Sequence, residues 1–179
     1  MIKKYDGNLL ISPCPTLLVT TKMNDIENVL TVSWAGIASS HPEYITVSIN
    51  KKRYSYELIC NSMKFCANIP NWNLIESVDY CGSYSGRETD KFKECGFHKV
   101  YFSDYILIEQ CMFSVLCEVE KIIDLGSHSM FIAKVFEKYI NIDEEKEIND
   151  MLNPIAYCRP YYRKMDDVEL GYFGYTKEK

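Results

Sequence analysis

The sequence predicts a mainly β fold, a β-barrel with a few helices packed against its outside. Three observations carry that reading. Apolar and polar residues alternate with period two in several short runs. The helical segments between them are brief and bounded by their own cap residues. From Tyr101 to Ile140 the chain reads as consecutive strands. Short strands in antiparallel style are most economically arranged as a barrel, because closure removes their edges.

Each element follows from local pattern. Thr16 to Thr21 is β-branched and apolar, and predicts a strand. Met23-Asn24-Asp25-Ile26-Glu27-Asn28 then predicts a turn. Val29 to Trp34 alternates, with Val29, Thr31 and Ser33 on one face and Leu30, Val32 and Trp34 on the other. Ala35 to Pro42 is rich in small residues and predicts a loop that a ligand can approach closely. Tyr44 to Asn50 alternates again, with Ile45, Val47 and Ile49 opposite Thr46, Ser48 and Asn50. Ser55 is placed as the cap of a helix over Tyr56 to Asn61, and Phe65 to Ile69 as a strand. Asn71 opens a second helix ending at Gly82. Ser85-Gly86-Arg87-Glu88 has the form of a capping box and predicts a third helix, running to about Cys95 and stopped by Gly96. Strands come next over Ile106 to Cys111, Phe113 to Ile123 and Ser129 to Tyr139. Asp143 to Asp150 predicts a loop or short helix, and the tail from Pro154 is rich in aromatic residues.

Composition narrows the function. The 179 residues, 47% apolar and 25% charged, predict one domain (1–179) with a core that needs neither disulfide nor metal. A net charge of −5 opposes nucleic acid and anionic lipid, so a bound anion requires a local basic pocket. The eight cysteines include no CxxC spacing and mostly sit in apolar runs, which predicts core filling rather than a disulfide framework. Cys95 and His98 form the single close Cys/His pair, too little for a zinc site. Met1-Ile2-Lys3-Lys4 resembles the start of a signal peptide, but Asp6, Gly7, Pro13 and Pro15 interrupt the apolar stretch behind it. No apolar run reaches the length of a membrane span. The expected compartment is the cytoplasm.

The candidate chemistry is anion and aromatic binding. Arg53-Tyr54-Ser55 stands at a predicted helix start, where free N–H groups and the helix dipole favour phosphate; a plain N-cap is the bland alternative. Arg87 and Lys91 share a face if the third helix forms, as a second phosphate candidate or as a solvated ion-paired face. His128, after the turn Asp124 to Ser127, is a candidate hydrogen-bond donor to a ligand. Trp34 and the tail tyrosines Tyr161 and Tyr162 suit a planar heteroaromatic group or a core. There is no GxGxxG after a strand and no phosphate-binding P-loop, so the usual dinucleotide fold is not indicated. No catalytic triad or nucleophile–base pair is indicated by spacing.

Taken together, these segments resemble the flavin reductase-like, flavoredoxin-type family. Asn28-Val29-Leu30-Thr31-Val32-Ser33-Trp34-Ala35-Gly36 is similar to its T-x-S/A-W-x-G segment, and Arg53-Tyr54-Ser55-Tyr56 to R-x-Y-S/T. Phe65 to Pro70 resembles F-x-V-N-I-P, and Ser85 to Phe92 resembles S-G-x-x-x-D-K-F. Gly126-Ser127-His128 resembles G-D-H, and Pro154-Ile155-Ala156-Tyr157 with Tyr161-Tyr162 and Gly171 resembles the family tail. The resemblance implies an FMN-binding split β-barrel and a homodimer with non-covalent FMN near its interface. It implies that Asn28, Thr31, Ser33 and Trp34 lie along the flavin, and that Ser55 and Lys91, with Arg53, hold the phosphate. His128 would reach the cofactor and Tyr162 would cover it, while the backbone from Ala35 through Ser39 and Ser40 would face the reduced ring. The implied activity is electron passage from NAD(P)H or a protein donor, through FMN, to free flavin, ferric iron or a redox protein. The alternatives are an electron carrier without its own NAD(P)H activity, and a non-enzymatic ligand-binding barrel. Two positions depart from the pattern: Ser127 stands where aspartate is usual, and His41-Pro42 where the family often has two prolines.

Overall fold

A computed structural model describes residues 2–7, 9–141 and 153–165. The chain runs β1 (Cys14–Pro15), β2 (Leu17–Met23), β3 (Ile26–Val32), β4 (Ala35–Ser40), β5 (Glu43–Asn50), α1 (Tyr54–Ser62) and β6 (Lys64–Ile69). A single 3-10 turn over Trp72–Leu74 leads into α2 (Ile75–Ser83), and α3 (Lys91–Glu94) comes after it. The remaining strands are β7 (Lys99–Phe102), β8 (Tyr105–Ile108), β9 (Phe113–Asp124), β10 (His128–Ile140), β11 (Ile155–Cys158) and β12 (Tyr161–Lys164).

The main sheet has seven strands in the order β3-β2-β6-β9-β10-β5-β4. Every pairing in it is antiparallel. It curls around one apolar core, so that Leu30 and Val32 of β3 pack with Val47 and Ile49 of β5 and with Phe65 and Phe131. The curl does not close: β3 and β4 end the sheet as separate edges. The architecture is therefore mainly β and split rather than sealed. On the outer side, Leu18 and Val29 pack with Val78 and Cys81 of α2, Phe92 of α3 and Ile106 and Ile108 of β8. Cys66, Cys81, Cys111 and Cys117 belong to these buried clusters, in line with the core-filling expectation.

A polar residue stands where the central strands meet. Asn68 of β6 is fully buried. Its Nδ2 donates to the Leu18 carbonyl at 3.0 Å and to Thr20 Oγ1 at 3.1 Å. Its Oδ1 accepts from the Ile108 N–H at 3.0 Å and from Ser114 Oγ at 2.8 Å. One carboxamide thus joins β2, β6, β8 and β9, with all its capacity used.

Several expectations are corrected. Ala35–Ser40 is the edge strand β4, not a loop; its small residues pair with Glu43–Val47 across a bulge between Ile37 and Ser39. The turn expected from Met23 to Asn28 is tighter, because β3 already begins at Ile26. Ser55 lies in the first turn of α1, and Arg53 is the N-cap. The helix expected from Ser85 to Cys95 is a turn at Ser85, where the Glu88 N–H donates to the Ser85 carbonyl at 3.0 Å, and then the short α3. Asp90, not Ser85, caps that helix, accepting from the Phe92 and Lys93 N–H groups. A β-hairpin of β7 and β8 replaces the longer strand expected over Ile106 to Cys111. Gly96 does stand just past the α3 cap in the left-handed region, at φ +62. The Asp143 to Asp150 segment, Gly171 and the last tail residues lie outside the described residues.

Candidate functional site

One end of the curled sheet, between β3, β5 and the start of α1, carries a polar pocket of about 200 Å³. Leu30 to Trp34 form one wall, and Ser48, Ile49 and Asn50 the other. Arg53 and His128 complete it. The sequence places them there directly. β5 ends at Asn50, and His128 opens β10 as its register partner. The chain then reaches Arg53, whose extended backbone starts α1. Ser48 and Asn50 are polar lining residues that sequence reasoning did not assign to a site; their place on the polar face of the β5 alternation was the available signal.

Trp34 is half exposed, and its ring centroid lies 4.6 Å from that of His128, tilted by 39°. Together the rings offer an aromatic wall to a planar ligand. Ser127 Oγ lies 2.9 Å from His128 Nδ1, so the serine that replaces the expected aspartate still contacts the imidazole. Partial burial, reinforced by the Arg53 guanidinium, pushes the His128 pKa down and favours the neutral ring.

A smaller cleft of about 70 Å³ adjoins this pocket, sharing Leu30 and Arg53 and adding Asn28, Ser55, Gly86 and Lys91. Ser55 is fully buried, and its Oγ accepts from Asn28 Nδ2 at 2.8 Å. Among the described residues no side chain caps α1, so its N-terminus keeps donors for an outside acceptor. Lys91 is only 3% exposed. Its Nζ donates to the Val29 carbonyl at 3.0 Å and the Cys81 carbonyl at 2.8 Å. Burial lowers its pKa. Among the described residues neither Lys91 nor Arg53 has a carboxylate within ion-pair distance. Gly86 closes the cleft; a Cβ there would collide with Asn28 Oδ1.

The structure thus brings Asn28, Thr31, Ser33, Trp34, Arg53, Ser55, Lys91 and His128 around two adjoining pockets. It changes the expected part of some. Thr31 Oγ1 donates to the Val78 carbonyl at 2.5 Å, stitching β3 to α2, so its hydroxyl is already engaged. Arg87 does not share a helix face with Lys91; it pairs with Glu57 at 2.6 Å and stacks over Tyr54. Ala35, Ser39 and Ser40 line a separate, apolar cavity of about 360 Å³ between β4 and the sheet interior. Tyr162 packs against the outer core and lies 5.3 Å from the Tyr157 ring, lining neither polar pocket. Among the described residues no helix is long and apolar enough to cross a membrane, and no Cys, His or carboxylate group is clustered for a metal.

Comparison with known proteins agrees with this architecture. Flavoredoxin from Methanosarcina acetivorans has the same fold, with a TM-score of 0.89 at 22% identity, over 99% of this chain and 98% of that one. Flavoredoxin of Desulfovibrio vulgaris superposes with a TM-score of 0.85 at 26% identity, over 97% and 98% of the two chains. An uncharacterized protein of Pyrococcus abyssi is 28% identical over 132 residues, 73% of this chain and 76% of its own. Residues 11–166 match the family model described as the flavin reductase like domain, and the chain belongs to that family.

Proposed function

We propose that the protein holds FMN non-covalently and passes electrons from NAD(P)H, or from a protein donor, to an acceptor such as free flavin, ferric iron or a redox protein. The observation that carries this reading is the pair of cations, Arg53 and Lys91, without carboxylate partners among the described residues. They stand beside the uncapped start of α1 and next to an aromatic pocket. A phosphomonoester joined to a planar ring matches both halves of that arrangement. The residues fit the group. Arg53 and Lys91 supply the charge, Ser55 Oγ and the first N–H groups of α1 supply hydrogen bonds, and Asn28 orients Ser55. Gly86 leaves the room in which Asn28 does so.

When bound, FMN supplies the redox chemistry; the protein supplies binding, orientation and electrostatics. The Trp34 and His128 rings set the plane of the aromatic pocket. Ser127 Oγ engages His128 Nδ1 and so orients the ring, and Arg53 spans both pockets. The pockets are smaller than the about 300–1,000 Å³ of an enclosed small-molecule site. A ring bound there would not be enclosed by this chain alone, which would suit electron delivery from outside and, in our reading, a second copy of the chain at that side. No side chain acts as nucleophile.

The test is direct. Purified protein reconstituted with FMN should show a flavin absorption band and bleach rapidly on stopped-flow mixing with NADH or NADPH. The similarity to two flavoredoxins favours a second reading, an electron carrier that needs a separate reductase. A bound flavin that neither nucleotide bleaches supports the carrier. Protein that retains no flavin under any condition refutes both.

A further inference from the structure

We propose that Cys81 and Cys95 are a reversible disulfide site, built around Lys91. The thiols lie 3.8 Å apart, Sγ to Sγ, across the junction of α2 and α3. A disulfide brings sulfurs to about 2.05 Å, so under about 2 Å of movement closes it. The place allows that movement. Cys81 is in the last turn of α2, and Cys95 ends the short α3 just before Gly96 in its left-handed conformation.

The two thiols differ in access. Cys81 is fully buried, and Cys95 is partly exposed. Burial pushes the Cys81 thiol well above the usual range, so it waits protonated, with the Lys91 ammonium acting in the opposite sense. Cys95 is therefore the entry thiol. Its thiolate attacks a small disulfide RSSR, forming a Cys95–SR mixed disulfide and releasing RS⁻, which takes a proton. As the Cys81 thiol attacks the Cys95 sulfur, its proton passes to the departing RS⁻. That S–SR bond breaks, and the second RS⁻ leaves as RSH. Two protein thiols lose two electrons, and RSSR gains them as two RSH. In a reducing compartment the pair stays open, and closure tracks a change in thiol poise.

Lys91 gives this bond a consequence. Its Nζ donates to the Cys81 carbonyl, while its own carbonyl accepts from the Cys95 N–H at 3.1 Å. Closing the disulfide completes a covalent ring through Cys81 and Cys95 with Lys91 held inside it. The reach of Lys91 into the Ser55 cleft then depends on the state of the pair. This second part rests on the FMN reading; the disulfide itself does not.

The experiment equilibrates the cofactor-free protein in buffers of oxidised and reduced glutathione at graded ratios, traps with acid and reads mass and thiols. The expected result is a species lacking two hydrogen atoms, with six of the eight thiols left, and a peptide map linking Cys81 to Cys95. Cys95→Ala, at the partly exposed position, should keep its fold by circular dichroism and form no such species. Absence of the linked peptide in folded wild type at every ratio overturns the proposal, as does an equal yield of the two-hydrogen loss in the variant. FMN affinity of the oxidised and reduced wild type is expected to differ about fivefold or more, with no difference in Cys95→Ala. Equal affinities overturn the link to Lys91. Failure of both forms to bind FMN overturns the cofactor reading while leaving the disulfide result intact.

Discussion

Replacing Lys91 with methionine separates what the residue does for the fold from what it does for an anion. Methionine is unbranched and apolar and fills the same channel beneath β3. In the wild type, Nζ makes two hydrogen bonds to main-chain carbonyls and meets no carboxylate among the described residues. Its loss leaves the Val29 and Cys81 carbonyls short of a donor, at a cost of about 1–3 kcal/mol each. Removing a buried cation returns several kcal/mol of desolvation. These effects offset, so the urea midpoint should stay close to wild type. Ligand binding has no such compensation. A hydrogen bond to a charged group contributes about 1.5–3 kcal/mol, and about 1.4 kcal/mol is tenfold in affinity. FMN should therefore bind roughly 10- to 150-fold more weakly to Lys91→Met. The assay is quenching of flavin fluorescence on titration with cofactor-free protein, run in parallel with riboflavin, which has the ring but no phosphate. Riboflavin affinity should be unchanged. Unchanged FMN affinity, or an equal loss for both flavins, would refute the reasoning that puts phosphate beside Lys91.

Three further outcomes are expected. Gly86→Ala drives a methyl into Asn28 Oδ1 and must displace the carboxamide that holds Ser55; we expect a loss of about 1–3 kcal/mol in urea unfolding together with weaker FMN binding, and a neutral result would show that Asn28 yields freely. Tyr105 buries its hydroxyl with no partner among the described residues, so Tyr105→Phe should leave stability unchanged or raise it by up to about 1 kcal/mol by thermal melting, and a loss would reveal a partner. His128 has its pKa pushed down in the folded state, so the unfolded chain binds the proton more readily just below the ordinary histidine value of 6.5. Its contribution to stability therefore rises with pH through that window and is constant above it. Urea unfolding from pH 5 to 8 should show this rise in wild type and a smaller one in His128→Gln; identical profiles would remove the assignment.

Much of the fold was legible because the β signals are local. The alternation over Tyr44 to Asn50 sets Val47 and Ile49 on the curled core and Ser48 and Asn50 on the polar side, while over Val29 to Val32 it sets Leu30 and Val32 on that core and Val29 and Thr31 against α2; both patterns are visible without tertiary information. Ala35–Ser40 misled because small residues read as loop in isolation; pairing with β5 overrides that preference, as edge strands often do. The Ser85 segment carried a capping-box pattern, yet the helix begins at Lys91 with Asp90 as its cap. Gly86 lies close against the Asn28 carboxamide within the hydrogen-bonded turn at Ser85, and such a contact between distant segments leaves no local trace. For the same reason Lys91 was legible as a cation, but not as a buried one bound to two carbonyls. The separation of Ala35, Ser39 and Ser40 from the polar pockets depends on how far the sheet curls, which no single segment encodes.

The carboxamide of Asn68 has a consequence for how the chain avoids wrong structures. Phe65 and Ala67 point into the curled core, while Cys66 and Asn68 point to the other side of β6. Sliding β6 by one position against β2 and β9 exchanges those sides. Apolar residues would lose little by such a slip, since both sides of the strand are greasy. Asn68 would lose everything, because its donors and acceptors would face Val115 and Phe131 instead of Leu18, Thr20, Ile108 and Ser114. The residue therefore acts as a proofreader of strand alignment: it adds little to the correct structure beyond what hydrophobic packing provides, but it makes the nearest incorrect one expensive.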